Sequence, residues 1–313
     1  MGDNPAHAPA VAASSVTTLD ASTPVNIQRI LLATDFGPVS EAALHYSLDI
    51  ARRYGAKVYL VHVVPPETFQ FLSGDARKTA LEDAWRDAQR HMTDLLIAGH
   101  LEGVEHQVLV EQGDVWDILS RNLSDLSINL LVIGTRGRGR ISKLLLGSVA
   151  ETIFRQATCP VLMVGPRVSA SDSVTVRGRI LFCTGFSAHS IKAGGYALSL
   201  AQRQSAQLLL LHVSKETPQN DADRQRIVDQ ARSRLQSLIP RDAQLAVAPE
   251  YLVEFGPAAE RILAVASQRD PGLIVLGVRQ PVGFARRLKW ATAYEVVSNA
   301  ACPVLTVRML EPE

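Results

Sequence analysis

The sequence predicts an α/β protein built from two tandem open doubly wound five-stranded parallel sheets. Three observations carry this reading: the length, the alternation of short β-branched runs with helical stretches, and the recurrence of the same blocks in the same order in both halves. At 313 residues, and with roughly 150 residues to a domain, the chain has room for two domains. Hydrophobic residues make up 47% and charged residues 20%, enough apolar surface for two cores and far from the composition of a disordered chain.

In the first half, strands are expected over Ile30 to Thr34, Lys57 to Val63, Glu105 to Val110, Leu130 to Gly134 and Val161 to Val164. Between them, Glu41 to Tyr54 places Ala42, Ala43, Leu44, Leu48 and Ala51 near helical spacing, and Gly55 stands where a left-handed C-cap belongs. Ala76 to Ala98 likewise sets Leu81, Trp85, Ala88, Met92, Leu95 and Leu96 on one face. Strands separated by helices are the signature of βαβ units around a parallel sheet.

The second half repeats the order. Arg29-Ile30-Leu31-Leu32 returns as Arg179-Ile180-Leu181-Phe182, Tyr59-Leu60-Val61-His62-Val63 as Leu209-Leu210-Leu211-His212-Val213, and Leu109-Val110-Glu111 as Leu252-Val253-Glu254. The clearest echo is Ala157-Thr158-Cys159-Pro160-Val161-Leu162 against Ala300-Ala301-Cys302-Pro303-Val304-Leu305. The domains are therefore expected at 27–165 and 179–310, joined by a polar linker over 166–178. Residues 1–26, rich in Ala, Ser, Thr and Pro without an apolar period, read as a disordered tail. The last strand of each copy would present a bare apolar edge, so each is expected to pair with another copy.

Several function classes are not expected. Lys and Arg total 32 against 31 Asp and Glu, so no global field draws the chain to nucleic acid or an anionic membrane. No run approaches the roughly 20 apolar residues of a membrane span, and no signal peptide is visible. Cys159, Cys183 and Cys302 are an odd, widely spaced set that suits a reducing compartment better than a disulfide framework. A cytoplasmic protein is expected.

In an open doubly wound sheet, ligands bind beyond the carboxyl ends of the strands at the switch point. The loop after the fourth strand reads Gly134-Thr135-Arg136-Gly137-Arg138-Gly139-Arg140, and Gly147-Ser148-Val149-Ala150 then opens a helix. Glycines let main chain approach an anion closely, and a helix N-terminus offers unpaired N–H groups with positive potential. Arg136, Arg138, Arg140 and Lys143 add local positive charge. Ser148 could either cap the helix or donate its hydroxyl to a phosphate. A Walker A loop is absent, because Gly139 is followed by Arg140-Ile141, and no dinucleotide fingerprint follows the first strand, which ends Thr34-Asp35-Phe36-Gly37.

The spacing of Gly134, Gly137 and Gly147-Ser148, with Thr34-Asp35-Phe36, the His62-Val63 strand end and the Cys-Pro-Val-Leu ending, resembles the universal stress proteins, in a tandem form spanning Ile27 to Arg308. The resemblance implies strand order 3-2-1-4-5, ATP with or without Mg²⁺ held between the first and fourth strands, and pairing through the fifth strands. It implies that Asp35 meets the ribose or adenine side, that Ala33 and the main chain of Val63 border adenine, and that Gly134, Gly137, Gly147 and Ser148 meet the phosphates. Arg136, Arg138 and Val149 belong to the same loop and helix start. For Asp35, a helix-capping or solvated turn carboxylate is the alternative.

The second copy departs from this pattern. Gly134 corresponds to Gly277, but Gly137 falls on Gln280, Gly147 on Trp290, Ser148 on Ala291 and Asp35 on Gly185. The resulting expectation is an ATP-binding regulatory protein of the stress response, its second domain a structural or partner-binding unit without ATP. A homodimer and an unidentified regulatory protein partner are expected. A slow ATPase or phosphoryl-transfer enzyme and a nucleotide-free scaffold are the alternatives. His62 and His212 recur at equivalent strand ends, which favours packing over catalysis.

Overall fold

The computed structural model describes residues 18–19, 25–135, 147–168, 178–278 and 291–308. The first half contributes β1 (Arg29–Ala33), α1 (Pro38–Tyr54), β2 (Lys57–Val64), a 3-10 turn (Pro66–Phe69), α2 (Gly74–Ile97), β3 (His106–Gln112), α3 (Val115–Asp125), β4 (Leu130–Gly134), α4 (Ser148–Gln156) and β5 (Val161–Val164). The second half repeats them as β6 (Arg179–Cys183), α5 (Ala188–Gln204), β7 (Gln207–Ser214), α6 (Asp221–Leu238), β8 (Glu250–Phe255), α7 (Ala258–Arg269), β9 (Leu273–Val278), α8 (Ala291–Asn299) and β10 (Val304–Arg308).

Each half has the order 3-2-1-4-5, and the halves merge into one ten-stranded sheet, β3-β2-β1-β4-β5-β10-β9-β6-β7-β8. The seam is an antiparallel pairing of β5 with β10, Leu162 opposite Leu305 and Met163 opposite Val304. The fifth strands thus cover each other within one chain, and the Thr306 hydroxyl donates across the seam to the Val161 carbonyl at 3.2 Å. Every other described pairing is parallel.

A parallel sheet must be covered on both faces. One core layer holds the inner faces of α1, α2, α5 and α6, and the other those of α3, α4, α7 and α8; both run through the two halves. Helix α1 begins at Pro38, three residues before the expected Glu41, because proline at the first helical position gives up no intrahelical bond. It ends at Gly55, φ 62°, whose N–H returns to the Ala51 carbonyl.

A few described residues of the connecting segments pack against the two halves. Within the stretch read as a disordered tail, Leu19 is 1% exposed, its N–H donates to the Leu238 carbonyl at 2.7 Å, and the Val25 N–H donates to Ser199 Oγ at 2.9 Å. A composition argument averages over the segment and misses a single leucine with a matching recess. At the start of the expected linker, Val168 is buried and its N–H returns to the Gly165 carbonyl.

Candidate functional site

A cavity of about 1050 Å³ opens at the carboxyl ends of β1 and β4, the switch point of the first half. Ala33, Asp35, Val63, Gly134, Gly147, Ser148 and Val149 all line it. Arg136, Gly137 and Arg138 lie outside the described residues.

The floor is built by strand ends. The Thr34 N–H donates to the Val61 carbonyl at 2.9 Å, and the next main-chain groups of β2 that face the same way, those of Val63, lie past the end of β1. Phe36 then turns the chain with φ 59°, and its ring sits between two imidazoles, 4.5 Å from His62 and 4.9 Å from a stacked His91. The His62 Nδ1–H donates to the Thr34 carbonyl at 2.8 Å, since a carbonyl can only accept. In the second half His212 does the same to Thr184 at 2.9 Å and packs 4.6 Å from Phe186. The recurrent histidine is a tether between adjacent strand ends.

Asp35 is anchored at one oxygen only. Its Oδ1 accepts from the Gly37 N–H at 3.0 Å and from Ser40 Oγ at 2.5 Å, whereas the buried Oδ2 has no partner among the described residues. The local turn role accounts for half of the carboxylate, and the other oxygen belongs to a cavity-lining side chain. Thr135 repeats the situation: the residue is 1% exposed, its main chain bonds Val164 and Gly147, and its Oγ1 has no partner among the described residues. An orphaned buried polar atom costs about 1–3 kcal/mol, and the two side chains that carry one here both belong to the cavity lining.

Helix α4 aims its N-terminus at the same space. The N-cap is Gly147, without a side-chain cap bond, which leaves Ser148 at the first helical position with its side chain exposed. The capping role left open for Ser148 is therefore not the one it takes. Ser148 and the first N–H groups of the helix stand at the cavity end of α4.

Gly134 has a packing reason as well. A Cβ there would stand 3.1 Å from both the Ser40 N and the Val39 carbonyl carbon, at the start of α1. At Gly277 a Cβ would lie 2.4 Å from the His189 carbonyl oxygen. The close approach of α1 to β4, and of α5 to β9, explains why this glycine alone among the five ligand-type positions persists in both halves.

Sequence reasoning missed Thr135, and with it Asp87 and His91, which reach the cavity from α2. Thr135 could have been flagged by its place between Gly134 and Arg136; Asp87 and His91 carry only an i, i+4 spacing on a helix that reads as mostly exposed. In the second half the corresponding region is rearranged: Gly185 replaces Asp35 with open space around it, Thr184 Oγ1 donates to Ser190 Oγ at 3.0 Å, and Arg234 lies over Phe186 at 4.0 Å.

A family model described as universal stress protein family matches residues 26–165 and again 177–308. The chain belongs to the universal stress protein family. A universal stress protein of Mycolicibacterium smegmatis is 27% identical over 294 residues, covering 89% of this chain and 96% of that protein. A putative universal stress protein of Staphylococcus haemolyticus is 30% identical over 145 residues, 44% of this chain and 84% of its own, so it matches a single repeat. Among solved structures, a universal stress protein from Archaeoglobus fulgidus superposes with a TM-score of 0.65 at 19% identity, covering 90% of this chain and 98% of that one. A putative universal stress protein from Pseudomonas aeruginosa gives 0.56 at 17% identity, over 90% and 93%. At these identities the structural likeness bears on the fold, and that fold is a tandem universal stress protein.

Among the described residues of this universal stress protein, no helix is long and apolar enough to cross a membrane, and no group of three or more His, Cys, Asp or Glu is placed to hold a metal ion.

Proposed function

We propose that the first domain binds ATP and that the chain is a nucleotide-dependent regulatory protein of the stress response, the second domain serving as a structural or partner-binding unit. The observation that carries this is the pair of orphaned polar atoms, Asp35 Oδ2 and Thr135 Oγ1, in a cavity closed at one end by the N-terminus of α4. In this reading adenine lies beside Ala33 and the main chain of Val63. Asp35 accepts from the ribose, and the phosphates sit at Gly147, Ser148 and Val149, with Arg136, Gly137 and Arg138 as the further phosphate ligands of this reading. Mg²⁺, where present, enters on phosphate oxygens rather than in a protein cage.

ATP is held rather than turned over. Main-chain N–H groups and arginines bind ground-state phosphate, and interactions equal in ground and transition states give affinity without rate. Phosphoryl transfer further wants a positioned nucleophile and metal carboxylates at the γ-phosphate, whereas Asp35 belongs to the nucleoside end. The same reading makes the protein cytoplasmic. It also directs any pairing of two whole chains, and the docking of a regulatory partner, to surfaces other than the fifth strands, which are already covered.

The test is mass spectrometry of small molecules released on denaturing the purified chain, followed by calorimetric titration. One ATP per chain is expected, lost or strongly weakened in Asp35→Ala. Two equivalent sites, or binding indifferent to Asp35, would remove the assignment to the first domain.

A further inference from the structure

Arg308, the last residue of β10, is 4% exposed, and its guanidinium reaches out of the second half into the first. Its Nη1 donates to the Arg155 carbonyl at 2.7 Å and its Nη2 to the Phe154 carbonyl at 2.5 Å. Both carbonyls lie in the last turn of α4 (Ser148–Gln156), where a helix leaves its carbonyls without internal partners and carries partial negative charge.

The contact has no counterpart on the other side of the seam. The first-half residue at the register of Arg308 is Gly165, and a Cβ on it would lie 2.8 Å from the Val297 carbonyl. There the end of α8 packs directly on bare main chain. At Arg308 the end of α4 is instead held by a cation from the opposite half.

Helix α4 is nine residues long, about 13 Å at 1.5 Å per residue, and carries one i,i+4 ion pair, Glu151–Arg155, at 2.5 Å. A body this short transmits a displacement at one end to the other. Its far end is Gly147–Ser148, at the cavity.

We propose that Arg308 is a positioning residue that lets the second domain set the placement of α4, and so the affinity of the first domain for the phosphate portion of its nucleotide. The proposal rests on the nucleotide reading given above. It gives the second half a part in the site of the first: β10 holds the helix from the end opposite the phosphates, and anion and cation each sit at the helix terminus whose partial charge they complement.

The experiment titrates the full chain and its Arg308→Met and Arg308→Lys variants with ATP and, separately, with adenosine. Arg308→Met should weaken ATP about five-fold, the scale of a partly buried charge at a helix terminus, while adenosine, which does not reach α4, binds as before. Arg308→Lys should recover part of the loss. A role confined to stability would move both ligands together or neither, so an unchanged ratio of ATP to adenosine affinity in a folded variant overturns the proposal. Should Arg308→Met fail to fold by circular dichroism, Arg308→Lys and Arg308→Gln give the same ratio. Failure of the unaltered chain to bind ATP would sink the nucleotide reading and this proposal with it, a result distinct from an unchanged ratio.

Discussion

The side chain of Leu19 occupies the space that a side chain at Gly194 would need: a Cβ built on Gly194 stands 2.4 Å from Leu19 Cδ2 and 2.8 Å from Phe182 Cζ. In the first half the corresponding position is Leu44, buried in its own core. The second core is thus short of one leucine, and the segment preceding β1 supplies it. Removing that peg should behave as a core truncation, so Leu19→Ala is expected to lower the unfolding free energy by about 2–5 kcal/mol. In a urea-denaturation double-mutant cycle, Gly194→Ala should cost less on the Leu19→Ala background than on the unaltered chain. Additive costs would show that the two residues do not share the recess.

Thr135 gives a prediction of opposite sign for stability and binding. Thr135→Val is nearly isosteric and removes a buried hydroxyl without a partner among the described residues, so the ligand-free chain should keep or gain up to about 1 kcal/mol. Nucleotide affinity should fall several-fold, because valine offers the nucleotide no hydroxyl in its place. Thermal melts with and without ATP read both effects, and a variant that binds as tightly as the parent would take Thr135 out of the site.

At the seam, Leu162 faces Val132 of β4 on one side and Leu305 of β10 on the other. Leu162→Pro removes a main-chain donor from the middle of a buried strand, and the two halves should lose their fixed relation. Small-angle scattering should report a larger radius of gyration, with faster proteolysis within residues 166–178. An unaltered scattering profile would mean that other contacts hold the halves together.

His212 carries a pH dependence. Burial of the ring holds its pKa below the usual 6.5, outweighing the bond to the Thr184 carbonyl that favours the charged form. For a histidine depressed in the folded state, the unfolded chain binds more protons between the folded value and 6.5, so stability rises with pH across that window and is lost on acidification through it. The difference in stability between the unaltered chain and His212→Asn should shrink from pH 7 towards pH 5. A difference independent of pH would remove His212 from the acid response.

Much of this was legible from local pattern. The strand runs, the apolar faces of α1 and α2, the left-handed cap at Gly55 and the need for each fifth strand to find a partner all follow from periodicity and edge chemistry. What escaped depends on contacts between distant parts of the chain. Leu19 carries no period of its own, and its meaning lies in an absence at Gly194. Thr135 is buried because Gly147 folds back onto its carbonyl at 3.0 Å, a closure that residue types alone do not announce. Strand β3 runs on to Gln112, past the expected Val110, where Glu111 is engaged by Asn122 at 2.8 Å and by Arg121. Asp87 and His91 look like any other polar residues of a long helix until α2 is laid over the strand ends.

The β5–β10 seam also has a genetic consequence. In a two-fold assembly of identical chains, every substitution appears twice, and a change that suits one side is imposed on the other. With both repeats encoded in one reading frame, each can drift alone while the other is held. Leu44 against Gly194, Asp35 against Gly185, and Gly165 against Arg308 are differences that a dimer of one repeat could not maintain. The fusion converts a shared interface into two separately inherited surfaces, so that one repeat can change at positions that the other keeps.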